Sequence, residues 1–220
     1  MFLTSAPRGP EIDEYAIKFL IGTIALALPA LEYCLVPGGI DSISASFWYT
    51  SQLPPTHGLW ARNVFVGLLF AIAGLLMTYN GRDAIEMWLT KLAALAAVLI
   101  AMFPCACGCQ EREILPHVHT ASATAMFAVL AVFCWRFMRR AWSKRSVEPV
   151  AQLRAGIYAA CMLGMIAAIA LFAAEATGRI VLADQIFWAE AIGLVSFGIS
   201  WLTASHWLPG ISRQRKPLFA

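Results

Sequence analysis

Long apolar runs, separated by short polar segments, recur six times along the 220-residue chain. Each run approaches the roughly 20 helical residues that cross a hydrocarbon layer of about 30 Å. Because backbone polar groups cannot stay unpaired in lipid, runs of this length are predicted to be helices. The predicted spans are Tyr15–Val36, Asn63–Tyr79, Ala84–Phe103, His117–Met138, Leu153–Glu175 and Ile186–Leu208. The second run is short, and we expect it to take in Trp60–Arg62 or Asn80. The pattern predicts an all-α polytopic membrane protein, with residues 1–220 forming one six-helix transmembrane domain.

Composition supports a membrane protein rather than a globule with a large core. The chain is 60% hydrophobic and 13% charged, and its mean hydropathy is +0.70, whereas soluble domains carry about a quarter charged residues. The net charge of +3 is small, and its basic residues concentrate in few segments, which indicates membrane orientation and argues against a nucleic-acid partner. The segment "PRGPEIDEY" before the first run is not a basic leader, so that run is predicted to be a span.

The basic residues predict the orientation of the bundle. They concentrate between spans four and five and at the C-terminus, at Arg139, Arg140, Lys144, Arg145, Arg213, Arg215 and Lys216. Cytoplasmic loops carry the excess of Lys and Arg in membrane proteins. Both termini are therefore predicted to be cytoplasmic, and loops one, three and five to face outward. The predicted location is a bacterial inner membrane, which the chain crosses in multiple passes.

Polar residues then gather at the outer ends of the predicted spans. They include Glu32, Arg62, Asn63, His119, Glu175 and Glu190. An unpaired charge near hydrocarbon is unfavourable, so we expect Arg62 to meet one of the outer glutamates or to hold a lipid phosphate, which suits a guanidinium. The alternative is that these charges are wetted by headgroups and water. The inner half offers fewer candidates, chiefly Lys91 and His206.

The stretch "FPCACGCQEREILPHVH", from Phe103 to His119, combines three cysteines with two histidines. In an oxidising outer compartment it could form a disulfide, best between Cys105 and Cys109, because a bridge between residues two apart is strained. Cys34, at the outer end of span one, is a further candidate partner. Thiolate and imidazole ligands also suit zinc or copper, with His117 and His119 as the metal candidates. A third alternative is that the stretch does neither. The sequence leaves all three open.

Four segments carry a resemblance: "SISASFWYT", "RNVFVGLLFAIAGLLMTYNG", "FPCACGC" and "HVHTASATAMF". Through them the chain resembles an uncharacterised family of bacterial six-pass inner-membrane proteins and, more distantly, the DRAM-like group, which is tied to lipid remodelling and membrane trafficking. The resemblance implies the six-helix fold and supplies no reaction. The chain is more weakly similar to ceramidase-like transmembrane hydrolases, whose zinc site uses three histidines and an aspartate, but its last span lacks their paired histidines.

These observations lead to one leading hypothesis and two alternatives. The leading hypothesis is an outward-facing polar pocket that binds a lipid headgroup or similar anionic amphiphile, with Arg62, Asn63, Glu32, His119 and Glu190 as the ligand-binding residues. Membrane lipids are then the expected partners. One alternative is a metal-dependent transmembrane hydrolase of lipid amides or esters, built on His117 and His119. The other is a small transporter or a structural membrane subunit. The sequence does not decide whether the chain is an enzyme.

Overall fold

The computed structural model describes residues 13–36, 40–48, 55–105, 116–178, 184–208 and 210–211. These residues form six long α-helices: α1 Glu14–Leu35, α2 Pro55–Thr78, α3 Ala84–Met102, α4 Pro116–Ser143, α5 Ala151–Ala176 and α6 Gln185–Ser205. All six are long and apolar enough to cross a membrane. The predicted all-α, multi-pass bundle is therefore confirmed. Loop one, between α1 and α2, adds a short 3₁₀ helix, Ser44–Phe47, which we call the cap helix.

Each helix packs against its neighbours in the sequence, and α1 closes the ring against α6. The centre of this ring is filled by Trp201 of α6, which is fully buried. Its indole contacts Tyr79, Phe133 and Phe197 at ring-centroid distances of 5.3, 5.9 and 5.7 Å. Such edge-on and tilted aromatic contacts are favourable beyond the area they bury. Trp201 is four residues before the end of α6 and Tyr79 directly follows α2, so the aromatic cluster lies near the end of the bundle where these two helices finish.

The turn between α2 and α3 is built from the sequence "NGRD". Gly81 adopts φ +67°, a left-handed conformation that glycine tolerates, and a Cβ there would lie 2.3 Å from the Glu86 Cβ. Asp83 then caps α3, because its Oδ1 accepts a hydrogen bond from the Glu86 amide at 3.0 Å. The tight turn thus brings the first turn of α3 and the end of α2 together at the inner end, the end predicted to face the cytoplasm.

Candidate functional site

Loop one closes the outer end of the bundle, and Glu190 of α6 anchors it. Glu190 Oε2 accepts hydrogen bonds from the Ser42 hydroxyl at 3.0 Å and from the Ile43 amide at 2.5 Å. It also accepts one from the Ser44 amide at 3.2 Å. These amides begin the cap helix and would otherwise lack an intrahelical partner. Glu190, predicted to bind a ligand, is therefore engaged in fixing the cap helix to α6.

Glu32 of α1 lies next to the cap helix. It is fully buried, and neither of its carboxyl oxygens has a hydrogen-bond partner among the described residues. The Ser46 hydroxyl, also fully buried, lies beside it and interacts with the carboxyl group, but outside the distance and angle of a regular hydrogen bond. Glu32 and Glu190 therefore both adjoin the cap helix, but only Glu190 accepts hydrogen bonds from it.

Arg62 and Asn63, the remaining predicted pair on α2, lie at the edge of this region. The Arg62 guanidinium sits 4.4 Å from the centroid of the Phe47 ring, a cation–π contact with the cap helix. Within the described ranges no ion pair joins Arg62 to an outer glutamate, and the alternative, that Arg62 holds a lipid phosphate, stays a prediction. Asn63 is exposed. The outer end thus brings Glu32, Glu190 and Arg62 to one cap helix without pairing their charges.

The two histidines at the start of α4 do not converge. His119 is buried, and its Nδ1 donates to the Phe103 carbonyl at 2.7 Å, which satisfies an open carbonyl at the end of α3. His117 is exposed, as expected for residues two apart on a helix, which point about 200° from each other. In the part of the chain that is described, no group of three His, Cys, Asp or Glu residues could hold a metal ion. The structure therefore does not bring His117 and His119 together as metal ligands.

Cys105 links the same region to loop one. It is buried, and its carbonyl accepts a hydrogen bond from the Trp48 indole at 3.0 Å. Its predicted partner Cys109, like Cys107, lies outside the described residues, so the disulfide stays a prediction, as does zinc or copper binding at this stretch. Trp48 follows the cap helix directly, so the end of α3 is a further support for the cap helix.

The inner end holds a small open pocket of about 50 Å³. Its lining is strongly basic: Lys18, Arg82, Phe137, Arg140, Ala141, Lys144, Arg154, Tyr158, Ala204 and His206. Five of these residues are Lys or Arg, and none is an acid. The residues come from α1, α4, α5, α6 and the turn before α3, so the pocket exists only once the ring of helices has closed.

Two of the lining cations are buried in the bundle. Lys18 is 3% exposed; its Nζ bonds Glu14 at 3.1 Å and lies over the rings of Tyr15 and Tyr79. Arg154 is 5% exposed and bonds Glu148, and one of its Nη atoms lies 2.9 Å from the His206 Nδ1. Arg154 Nε nevertheless has no hydrogen-bond partner among the described residues. A buried N–H without an acceptor is unfavourable and marks a place for one.

Glu86 positions a third lining cation. This fully buried carboxylate accepts hydrogen bonds from Arg136 at 2.8 Å and from Arg140, and its other oxygen accepts from the Arg82 amide at 3.0 Å. Arg136 also pairs with Asp83. Arg140 therefore reaches the pocket from a fixed position. By contrast, no carboxylate in the described part of the chain pairs with the side chains of Arg82 and Lys144.

The structure thus places more polar residues together at the inner end than Lys91 and His206, the candidates named from the sequence. The inner arginines and lysines are far apart in the sequence, which predicts the orientation of the bundle from them but not that distant helices bring them to one pocket. One signal was present: Lys18 and Arg154 each lie within the first turns of an apolar helix, where a buried cation is more often functional than incidental. Lys18 is also four residues from Glu14, the spacing of a helical ion pair.

Comparisons with protein-family models, with curated proteins and with solved structures found no match to this chain. The resemblances to a bacterial six-pass family and to ceramidase-like hydrolases stay predictions. The function is therefore argued from the two ends of the bundle, and above all from the basic pocket.

Proposed function

We propose that this chain is an integral membrane protein that binds a phosphate-bearing anion in the basic pocket at its inner end. The observation that carries the proposal is the lining itself, with five cations and no carboxylate around the small open pocket. This keeps the anionic amphiphile of the sequence hypothesis but moves its site from the outer to the inner end, since at the outer end the carboxyl groups of Glu32 and Glu190 both adjoin the cap helix that Arg62 contacts.

The donors of the pocket suit a phosphate group. Arg82 and Lys144 bring charges that no described carboxylate neutralises. Arg154 adds a buried Nε–H without an acceptor. Guanidinium groups match the oxygens of phosphate in geometry, and lysine adds a point charge. A bound phosphate would satisfy all three groups at once.

The source of the phosphate is either a lipid headgroup or a soluble phosphate ester. Position favours the lipid, because the pocket lies where the apolar helices end and where headgroups of the inner leaflet would stand. Phe137 and Tyr158 supply an apolar wall. Anionic lipids of a cytoplasmic leaflet attract basic groups by about 1 kcal/mol each.

The test compares lipid and phosphate binding in matched variants. Lys144→Gln and Arg82→Gln should each weaken phosphatidylglycerol binding about tenfold, since each removes a hydrogen bond to a charged group. Arg139→Gln is the matched control: Arg139 adjoins Arg140 but is exposed and lies over Trp135, outside the pocket. Dissociation constants are measured by native mass spectrometry of the purified protein, with phosphatidylcholine as the neutral lipid.

The outcomes separate the alternatives. Competition by inorganic phosphate would identify a soluble phosphate ester, and its failure to compete would identify a headgroup. If the double variant Arg82→Gln/Lys144→Gln binds phosphatidylglycerol as tightly as the native chain, the inner site is rejected. Loss of binding in Arg62→Ala alone would instead support the outward-facing site predicted from the sequence.

The proposal includes a location in a bacterial inner membrane with both termini in the cytoplasm. Cys34, exposed near the outer end of α1, should then react with a membrane-impermeant maleimide added to intact spheroplasts. The buried Cys134 and Cys161 should stay unlabelled, and, in a background in which Cys105, Cys107 and Cys109 are replaced by serine, Cys34→Ser should remove the adduct. Labelling of Cys34 only after the membrane is permeabilised would invert the bundle and place the basic pocket outside.

A further inference from the structure

The outer half of the bundle contains a carboxyl group that no neighbour satisfies. Glu32 lies ten residues beyond Gly22 on α1 and is 0% exposed. Neither carboxyl oxygen has a regular hydrogen bond in the described ranges, and the Ser46 hydroxyl beside it, which interacts with the carboxyl group, also falls short of hydrogen-bond geometry. Buried polar groups are normally bonded, so two adjacent exceptions call for an explanation.

Charged groups on the surrounding elements do not provide it. Loop one contributes Asp41, α2 contributes Arg62, and α6 contributes Asp184 and Glu190. Glu190 is occupied by the start of the cap helix, Asp184 is exposed, and Arg62 lies over the Phe47 ring. None forms an ion pair or a hydrogen bond with Glu32.

A proton on the Glu32 carboxyl group is the smallest addition that explains why this buried group has no partner. An isolated carboxylate removed from water is very unfavourable, and such a group takes up a proton instead. The neutral acid requires no additional space, and its O–H could turn toward the Ser46 oxygen. A larger cation would need room beside a side chain that is already enclosed.

We infer that Glu32 is a proton-binding site that the cap helix covers. The carboxyl group holds its proton while Ser46 and the rest of the cap helix lie over it. When the cap helix lifts, water reaches the group, the O–H bond breaks, and the proton passes to the outer aqueous phase while the carboxylate stays on α1. Arg62 already contacts the cap helix, so it is the cation that would pair with that carboxylate.

The cap helix that covers Glu32 is held at both ends. Glu190 accepts the hydrogen bonds of Ser42, Ile43 and Ser44 on one side. The Trp48 indole donates to the Cys105 carbonyl on the other. Opening requires these bonds to break together, so the strength of the Glu190 anchor should set how often Glu32 meets water. The access of water to Glu32 can therefore be measured separately from whether Glu32 carries a proton.

Infrared spectroscopy of the protein in lipid nanodiscs tests the occupancy. At neutral pH the native chain should show the carbonyl stretch of a protonated carboxylic acid, which lies above the amide band. Glu32→Gln should lose this stretch, and Glu32→Met serves as a second variant should the amide fail to fold. A spectrum in which both variants lose only carboxylate bands would mean that Glu32 is ionised, and would overturn the inference.

Deuterium exchange of the same stretch tests whether the cap helix is the barrier to water. Glu190→Leu removes the acceptor of three hydrogen bonds, so the acid band should shift in D₂O at least about tenfold faster. Glu175→Leu is the control, since Glu175 is exposed at the outer end of α5, and it should exchange at the native rate. Equal rates in the native chain and Glu190→Leu would show that the cap helix is not the barrier, and would overturn its role.

Discussion

Replacement of Glu86 by alanine is expected to destabilise the folded bundle by about 3 kcal/mol, because it leaves buried or half-buried cations without their shared partner. Glu86 is 0% exposed and accepts hydrogen bonds from Arg136 and Arg140. The Arg82 amide would lose its acceptor as well. The two arginine side chains are 20% and 28% exposed, so water recovers part of the loss, which keeps the estimate at the lower end for a broken buried pair.

Thermal unfolding of the purified protein in a mild detergent measures this effect. Glu175→Ala is the matched control, since Glu175 is exposed and makes no described ion pair; it should change stability by less than about 0.5 kcal/mol. The double variant Glu86→Ala/Arg140→Ala should be less destabilised than the sum of its parts, as expected for residues in contact. Additive effects would mean that Glu86 does not act through Arg140.

The spans could be read from the sequence because a lipid environment imposes a simple requirement. A helix must be long and apolar to cross hydrocarbon, and the apolar runs begin and end close to the structural helices. The largest differences are at α2, which begins at Pro55 rather than Asn63, and at α4, which ends at Ser143 rather than Met138. Both extensions contain polar residues, which a hydropathy pattern excludes although a helix that emerges from the membrane can carry them.

The sites were harder to predict, because no single apolar run shows which other helices it will pack against. At the outer end, the cap helix is adjoined by Glu32, Glu190 and Arg62, which were expected to lie close together. The pattern of loop one did not predict the cap helix itself. The inner pocket depends on Lys18, Arg154 and His206, which are up to 188 positions apart in the sequence. Only closure of α1 against α6 brings these residues together.

The contact of α1 with α6 therefore supports both ends of the molecule. At the outer end it sets Glu32 beside the cap helix that Glu190 anchors. At the inner end it sets Lys18 opposite Ala204 and His206 in the pocket. Between them, Gly22 and Gly198 let the two backbones approach: a Cβ on either glycine would lie 2.9 Å from the carbonyl oxygen of the other. Small residues at such crossings are how membrane helices pack closely.

Gly198→Leu is accordingly expected to give the largest loss among single substitutions within the spans. A Cβ at this position would also meet Leu26 at 2.6 Å, so the helices must separate, at a cost of about 3 kcal/mol or more. Gly156→Ala is the control, because nothing described lies within 4 Å of its added Cβ, and it should stay within about 1 kcal/mol of the native chain.

Thermal unfolding and phosphatidylglycerol binding should then change together in Gly198→Leu, since the crossing positions Lys18 against the end of α6. The acid stretch assigned to Glu32 should exchange with deuterium faster in the same variant, because α1 and α6 also carry the two carboxyl groups of the outer end. Native stability with native lipid binding in Gly198→Leu would contradict the close α1–α6 crossing. If stability falls while the deuterium-exchange rate of the Glu32 acid stretch stays native, the crossing affects only the inner end. The proton site would then not depend on the packing of α1 against α6.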